Sequence, residues 1–131
     1  MSGNPSLPEA QRDCVVQALA MLAPAAIYLF GSVAAGTARP DSDLDLAVLP
    51  GVEADPMVCF QIANRLAEFF GREVDLVDLS RASTVLAKEV LRTGVLLGDA
   101  RPNDRREFEM QTLSDYARLN EERQPVLAAL R

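Results

Sequence analysis

Histidine is absent from all 131 residues. Its absence removes Ser-His-Asp and Cys-His mechanisms, His-based zinc sites and histidine-dependent ribonuclease chemistry. Any catalysis must run on carboxylates, hydroxyls, basic side chains or a hard metal held by oxygen. Cysteine is scarce too, with 2 in the chain. Cys14 and Cys59 sit far apart in apolar, helix-like stretches and read as buried thiols of a reducing compartment, not a disulfide or metal pair. Positive charge is in deficit: 13 Lys and Arg face 19 Asp and Glu, a formal net of −6. The first 100 residues hold 7 basic and 13 acidic side chains, while the last 31 hold 6 of each. Such a body lacks the basic excess that grips a nucleic-acid backbone, so direct nucleic-acid binding is not expected. A single nucleotide held through metal ions is compatible with it. No apolar run reaches the ~20 residues of a membrane span, and the longest, residues 15–30, is broken by Gln17 and Pro24. The start, MSGNPSLPEA, lacks the basic and apolar stretches of a secretory signal. A cytoplasmic protein without membrane contact is expected.

What is present fits one domain at about 100–200 residues per domain. Its core is expected over residues 8–100 or so, followed by a helical tail over about 103–131. Residues 8–22 space Val15, Val16, Leu19 and Leu22 as a helix does, ended by Pro24. Residues 26–30 read as a buried strand, and residues 31–41, rich in small side chains, as a loop. Residues 43–49 form a second strand closed by Pro50-Gly51. Asp55-Pro56 opens a helix whose face is Val58, Ile62, Leu66 and Phe69/Phe70, with Gly71 as its stop. Residues 73–79 read as a third strand, 83–93 as a helix and 95–97 as a short fourth strand. From Asn103 a long polar helix runs to an interruption expected at Pro125. The predicted fold is a mixed α/β arrangement around a small sheet.

Chemistry concentrates where the first strand ends. Gly31 has no Cβ, so a phosphate can approach its backbone closely, and Ser32 adds a hydroxyl donor. Asp43 and Asp45 lie two apart on a strand and therefore share a face, with Cα atoms roughly 6.6 Å apart. Asp75, in the next strand, can complete a cluster of three carboxylates. Asp78, at odd spacing from Asp75, falls on the opposite face. Three carboxylates on one face repel one another, and one or two hard divalent cations, Mg²⁺ or Mn²⁺, would resolve that repulsion. The apolar flanks Leu44, Leu46, Val74 and Leu76 are expected to anchor the other face in the core. Asp41 and Ser42 read as turn formers, and Tyr28, Tyr116 and both cysteines as packing residues. The tail stripe of Phe108, Leu113 and Tyr116 suits a helix docked on the body or on a partner.

Gly31-Ser32, ten intervening residues and then Asp43-Leu44-Asp45 resemble the signature of polymerase-β-like nucleotidyltransferases. The short length and the strand EVDLVDL resemble the minimal branch of that superfamily. The stretch from Arg105 through Phe108 to Tyr116 is similar to the C-terminal helix of MntA-type antitoxins. The resemblance implies a nucleotidyltransferase fold and an adenylyltransferase that binds ATP with Mg²⁺ and transfers AMP. For the antitoxin branch it implies AMPylation of a tyrosine on a partner HEPN-domain ribonuclease toxin. Carried over, Gly31 and Ser32 would contact the triphosphate, and Asp43 and Asp45 would ligate both ions. Asp75 would hold the catalytic ion and accept the proton of the attacking hydroxyl. The chain departs from many relatives in placing Val33-Ala34-Ala35 where they carry a basic residue, and its nearest cation is Arg39. Two other readings accompany this one: a non-catalytic antitoxin that masks its toxin, and nucleotidyl transfer to a small hydroxylated molecule such as an aminoglycoside.

Overall fold

The computed structural model describes residues 7–39 and 42–129, with side chains as far as residue 121. The Pro-dotted start before Leu7 and the turn residues Pro40 and Asp41 lie outside the described residues. α1 (Glu9–Ala18) and a short 3-10 turn at Ala20–Leu22 precede β1 (Ala26–Phe30). α2 (Gly31–Ala35), β2 (Leu44–Leu49) and α3 (Pro56–Phe70) follow, then β3 (Val74–Asp78), α4 (Thr84–Thr93), β4 (Val95–Gly98) and α5 (Pro102–Ala129). Local chemistry accounts for most of these ends. Asp55 caps α3 by accepting from the Met57 backbone N–H at 2.9 Å, with Pro56 at the first helical position. Ser83 caps α4 through the Leu86 N–H at 3.1 Å.

Two expectations are corrected. Residues 31–35 are not loop but the helix α2, a single turn too short to show periodicity. Its Ala34 is buried and Val33 packs against the core. The long C-terminal helix continues to Ala129, so Pro125 does not interrupt it. Proline's fixed φ is itself helical, and the cost is one backbone donor.

The four strands lie in the order β3-β2-β1-β4. β1 runs antiparallel to β2 and β4, while β2 and β3 are parallel and joined over the sheet by α3. Alternation gives the sheet two distinct faces. Leu44, Leu46 and Val48, all fully buried, meet Val15 of α1, Leu19 just after it, and Ile62 and Leu66 of α3. Val74 and Leu76 pack against the same cluster, as their spacing predicts. The other face carries Ala26, Tyr28 and Ala47 against Ala87 and Val90 of α4, with Phe108 of α5 beside them. Cys59 is buried, Cys14 half-buried, and both thiols are free. Among the described residues no helix is long and apolar enough to cross a membrane.

Candidate active site

The antiparallel register sets Phe30 opposite Asp45, and the parallel register sets Asp45 beside Asp75. Asp45 therefore sits on the central strand of three, between the end of β1 and the start of β3. Asp43 precedes β2 by one residue and is exposed, as is Asp75, while Asp45 is half-buried. All three lie at one end of the α4 face. Asp78 pairs with Val48 and so belongs to the other face, where the α3 helix lies.

Gly31 is indispensable to this geometry. Its φ of 75° lies in the left-handed region, and a Cβ built there would run into the Asp45 carboxylate. The chain thus turns from β1 into α2 directly against Asp45. The first N–H groups of a helix have no intrahelical acceptor, so the opening of α2 presents donors beside that carboxylate. Ser32 is fixed from behind, its carbonyl accepting from the Thr37 N–H at 3.0 Å. Ser42 forms the expected turn, accepting on Oγ from the Arg39 N–H at 2.7 Å. Arg72, just ahead of β3, donates to the Arg39 carbonyl at 3.4 Å and so ties the segment before Asp43 to the end of α3. Sequence spacing gave no signal for that tie.

Electrostatics mark Asp45 as the strained member. Burial first, then the Asp75 and Asp43 carboxylates, hold its carboxyl above the usual carboxylate range. Among the described residues no donor hydrogen-bonds to the side chains of Asp43, Asp45 or Asp75. Nor do any three His, Cys, Asp or Glu residues converge closely enough to hold an ion by themselves. An open set of this kind fits Mg²⁺, which takes one or two carboxylates and completes its octahedron with water and substrate phosphates. Of the packing residues, Tyr28 is buried and donates from its hydroxyl to Glu109 Oε2 at 2.7 Å. Tyr116 lies under Lys88, whose Nζ is 4.9 Å from the ring centroid. Phe108 of the tail stripe packs on the body, while Leu113 stays 49% exposed.

Known proteins share this fold. The family described as Polymerase beta, Nucleotidyltransferase matches residues 16–103. A protein of Shewanella oneidensis named Protein adenylyltransferase MntA is 41% identical over 101 residues, 77% of this chain and 72% of its own length. One of the same name from Aphanizomenon flos-aquae is 30% identical over 97 residues, 66% of this chain and 65% of its own. A solved toxin-antitoxin structure with AMP-PNP superposes at a TM-score of 0.80 with 36% identity, covering 95% of this chain and 98% of that one. A tri-AMPylated Shewanella oneidensis HEPN toxin in complex with MNT antitoxin matches at 0.74 with 32% identity, over 93% and 97% of the two chains. With residues 16–103 matched by that family model and a relative 41% identical over 77% of its length, the chain belongs to the polymerase-β-like nucleotidyltransferase family.

Proposed function

We propose that this chain is a protein adenylyltransferase that transfers AMP from ATP to a tyrosine of a HEPN-domain toxin and so acts as its cytoplasmic antitoxin. The observation that carries the reading is Asp45, set between Gly31 and Asp75, its carboxyl pKa raised by burial and by like-charge repulsion and its oxygens without a donor among the described residues. Relatives bear the name protein adenylyltransferase, and a structure of that kind holds an AMPylated HEPN toxin.

In this reading the Gly31 and Ser32 backbone, with the Ser32 hydroxyl, receives the triphosphate. Asp43, Asp45 and Asp75 would hold Mg²⁺ or Mn²⁺, which when bound neutralises charge on the phosphates and on the carboxylates themselves. The tyrosine oxygen bonds to the α-phosphorus, the bond to pyrophosphate breaks, and the phenolic proton passes to Asp75. No histidine competes for that role. The test is incubation with labelled ATP, Mg²⁺ and a HEPN-domain toxin, followed by mass spectrometry. AMP on a tyrosine is expected. Label confined to a small hydroxylated molecule would contradict the proposal.

One observation favours a second reading. Val33 and Ala34 are committed to packing, so α2 offers no cation to the triphosphate. A chain that masks its toxin without chemistry would neutralise equally well after Asp43→Ala/Asp45→Ala. An adenylyltransferase would not.

A further inference from the structure

β3 is an edge strand, paired with β2 on one side and with no other strand among the described residues. The Glu73 carbonyl accepts from Leu44 N–H, and Leu79 N–H donates to the Val48 carbonyl. Odd-numbered residues therefore bond inward, and Val74, Leu76 and Asp78 turn their N–H groups outward. Alongside this edge, α3 and β3 enclose a cleft of about 390 Å³. Its walls are Phe60 and Ala63 from α3 with Val74 and Leu76 from β3. Phe60 leaves 60% of its surface exposed there. At one end the cleft is lined by Asp78, whose Oδ2 is buried and accepts no hydrogen bond among the described residues. Arg81 Nε stands 3.5 Å from that oxygen, while its Nη2 donates to the Ala54 carbonyl at 2.9 Å. Outward backbone donors beside an apolar pocket are together what an added strand needs.

We infer that this cleft docks an extended segment of the acceptor protein, which adds to the edge of β3 and carries its hydroxyl side chain to Asp75. The inference rests on the AMP-transfer reading above. Position identifies the occupant, because Asp75 stands on the edge strand itself. On a strand paired with β3, the residue beside Asp75 projects to the face of Asp45 and Asp75. Its two neighbours project to the α3 face, into the cleft. The acceptor segment therefore reads apolar, tyrosine, apolar. A phenol suits the middle position because it reaches farther from the sheet than the carboxylate beside it. A second copy of this chain paired edge to edge would instead cover Asp75 and obstruct transfer.

The test is initial-rate kinetics with Mg-ATP and the HEPN-domain acceptor, using Phe60→Glu and Val74→Pro. The first places a charge on an exposed cleft wall. The second removes an outward N–H that the sheet does not use, a change tolerated at edges. Both should raise the acceptor KM about tenfold or more, with the ATP KM held within about twofold and the ATP-induced melting shift retained. Asp substituted for an apolar neighbour of the modified tyrosine should give the same loss in wild type and add little to Phe60→Glu. An unchanged acceptor KM in Phe60→Glu overturns the docking inference and leaves AMP transfer standing. No transfer by wild type overturns the reading beneath it. A dimer dissolved by Phe60→Glu would hand the edge to a second copy and also overturn the inference.

Discussion

Two groups of acids share the α4 face of the sheet, and their surroundings differ. Toward α5, Asp99 and Glu109 both have partners: Arg105 donates to Asp99 at 2.8 Å and to Glu109 at 2.9 Å, and Tyr28 donates to Glu109 at 2.7 Å. Burial, reinforced by the Glu109 bond, keeps the Tyr28 phenol protonated well above its ordinary range. That cluster pins α5 to β1. At the end of the face near Gly31, Asp43, Asp45 and Asp75 face one another, and the Asp45 carboxyl is held above the usual range. The first group resolves its charge within the fold. The second does not, and under the proposed reading this difference separates a structural acid cluster from a functional one.

The largest effect expected from breaking that contrast is on chemistry. Asp43→Ala, Asp45→Ala and Asp75→Ala should each lower AMP transfer by about a thousandfold or more, and the losses should not add, because the three act as a unit. Rates of the single and double variants check this, and EDTA should mimic them, with Mg²⁺ or Mn²⁺ restoring activity. Next comes Gly31→Ala, which forces a Cβ onto left-handed backbone and against Asp45. A loss of about 1–2 kcal/mol is expected from the backbone alone, together with more than about a tenfold fall in transfer. Thermal melting and initial rates measure the two parts.

The partnered cluster should behave in the opposite sense. Tyr28→Phe removes one buried hydrogen bond and should cost about 1 kcal/mol, or near 4 °C in Tm for a chain of this size. Transfer per folded molecule should be unchanged. The smallest effect is that of pH on Asp45 without metal. A carboxyl whose folded pKa is raised contributes stability fully present below its unfolded pKa and lost as pH rises through the folded one. Wild type should therefore gain on Asp45→Asn as pH falls from 7 toward the carboxylate range, and at neutral pH the variant should melt at or above wild type. Parallel melts across that range decide it.

Much of this was legible in the chain because short-range rules produced it. Asp55-Pro56 and Ser83 announced their helices, and strand alternation separated Asp75 from Asp78 before the register showed them on opposite faces. The helix α2 was not legible, since five residues carry no period and its form depends on Val33 and Ala34 finding the core. Pro125 misled because proline's weak fit to a helix interior is only a propensity. The Arg105 network and the tie from Arg72 to the Arg39 carbonyl join residues far apart in the chain, where spacing carries no information.

The contrast between the two clusters comes down to whether the unpartnered acids bind nucleotide through a cation. The most direct measurement is a melting comparison of wild type and Asp45→Asn, each with and without saturating Mg-ATP. At 100 times the dissociation constant, binding adds about 2.7 kcal/mol, or roughly 10 °C in Tm. Wild type should show that shift and Asp45→Asn should largely lose it. Equal shifts in both proteins, or none in wild type, would contradict the account.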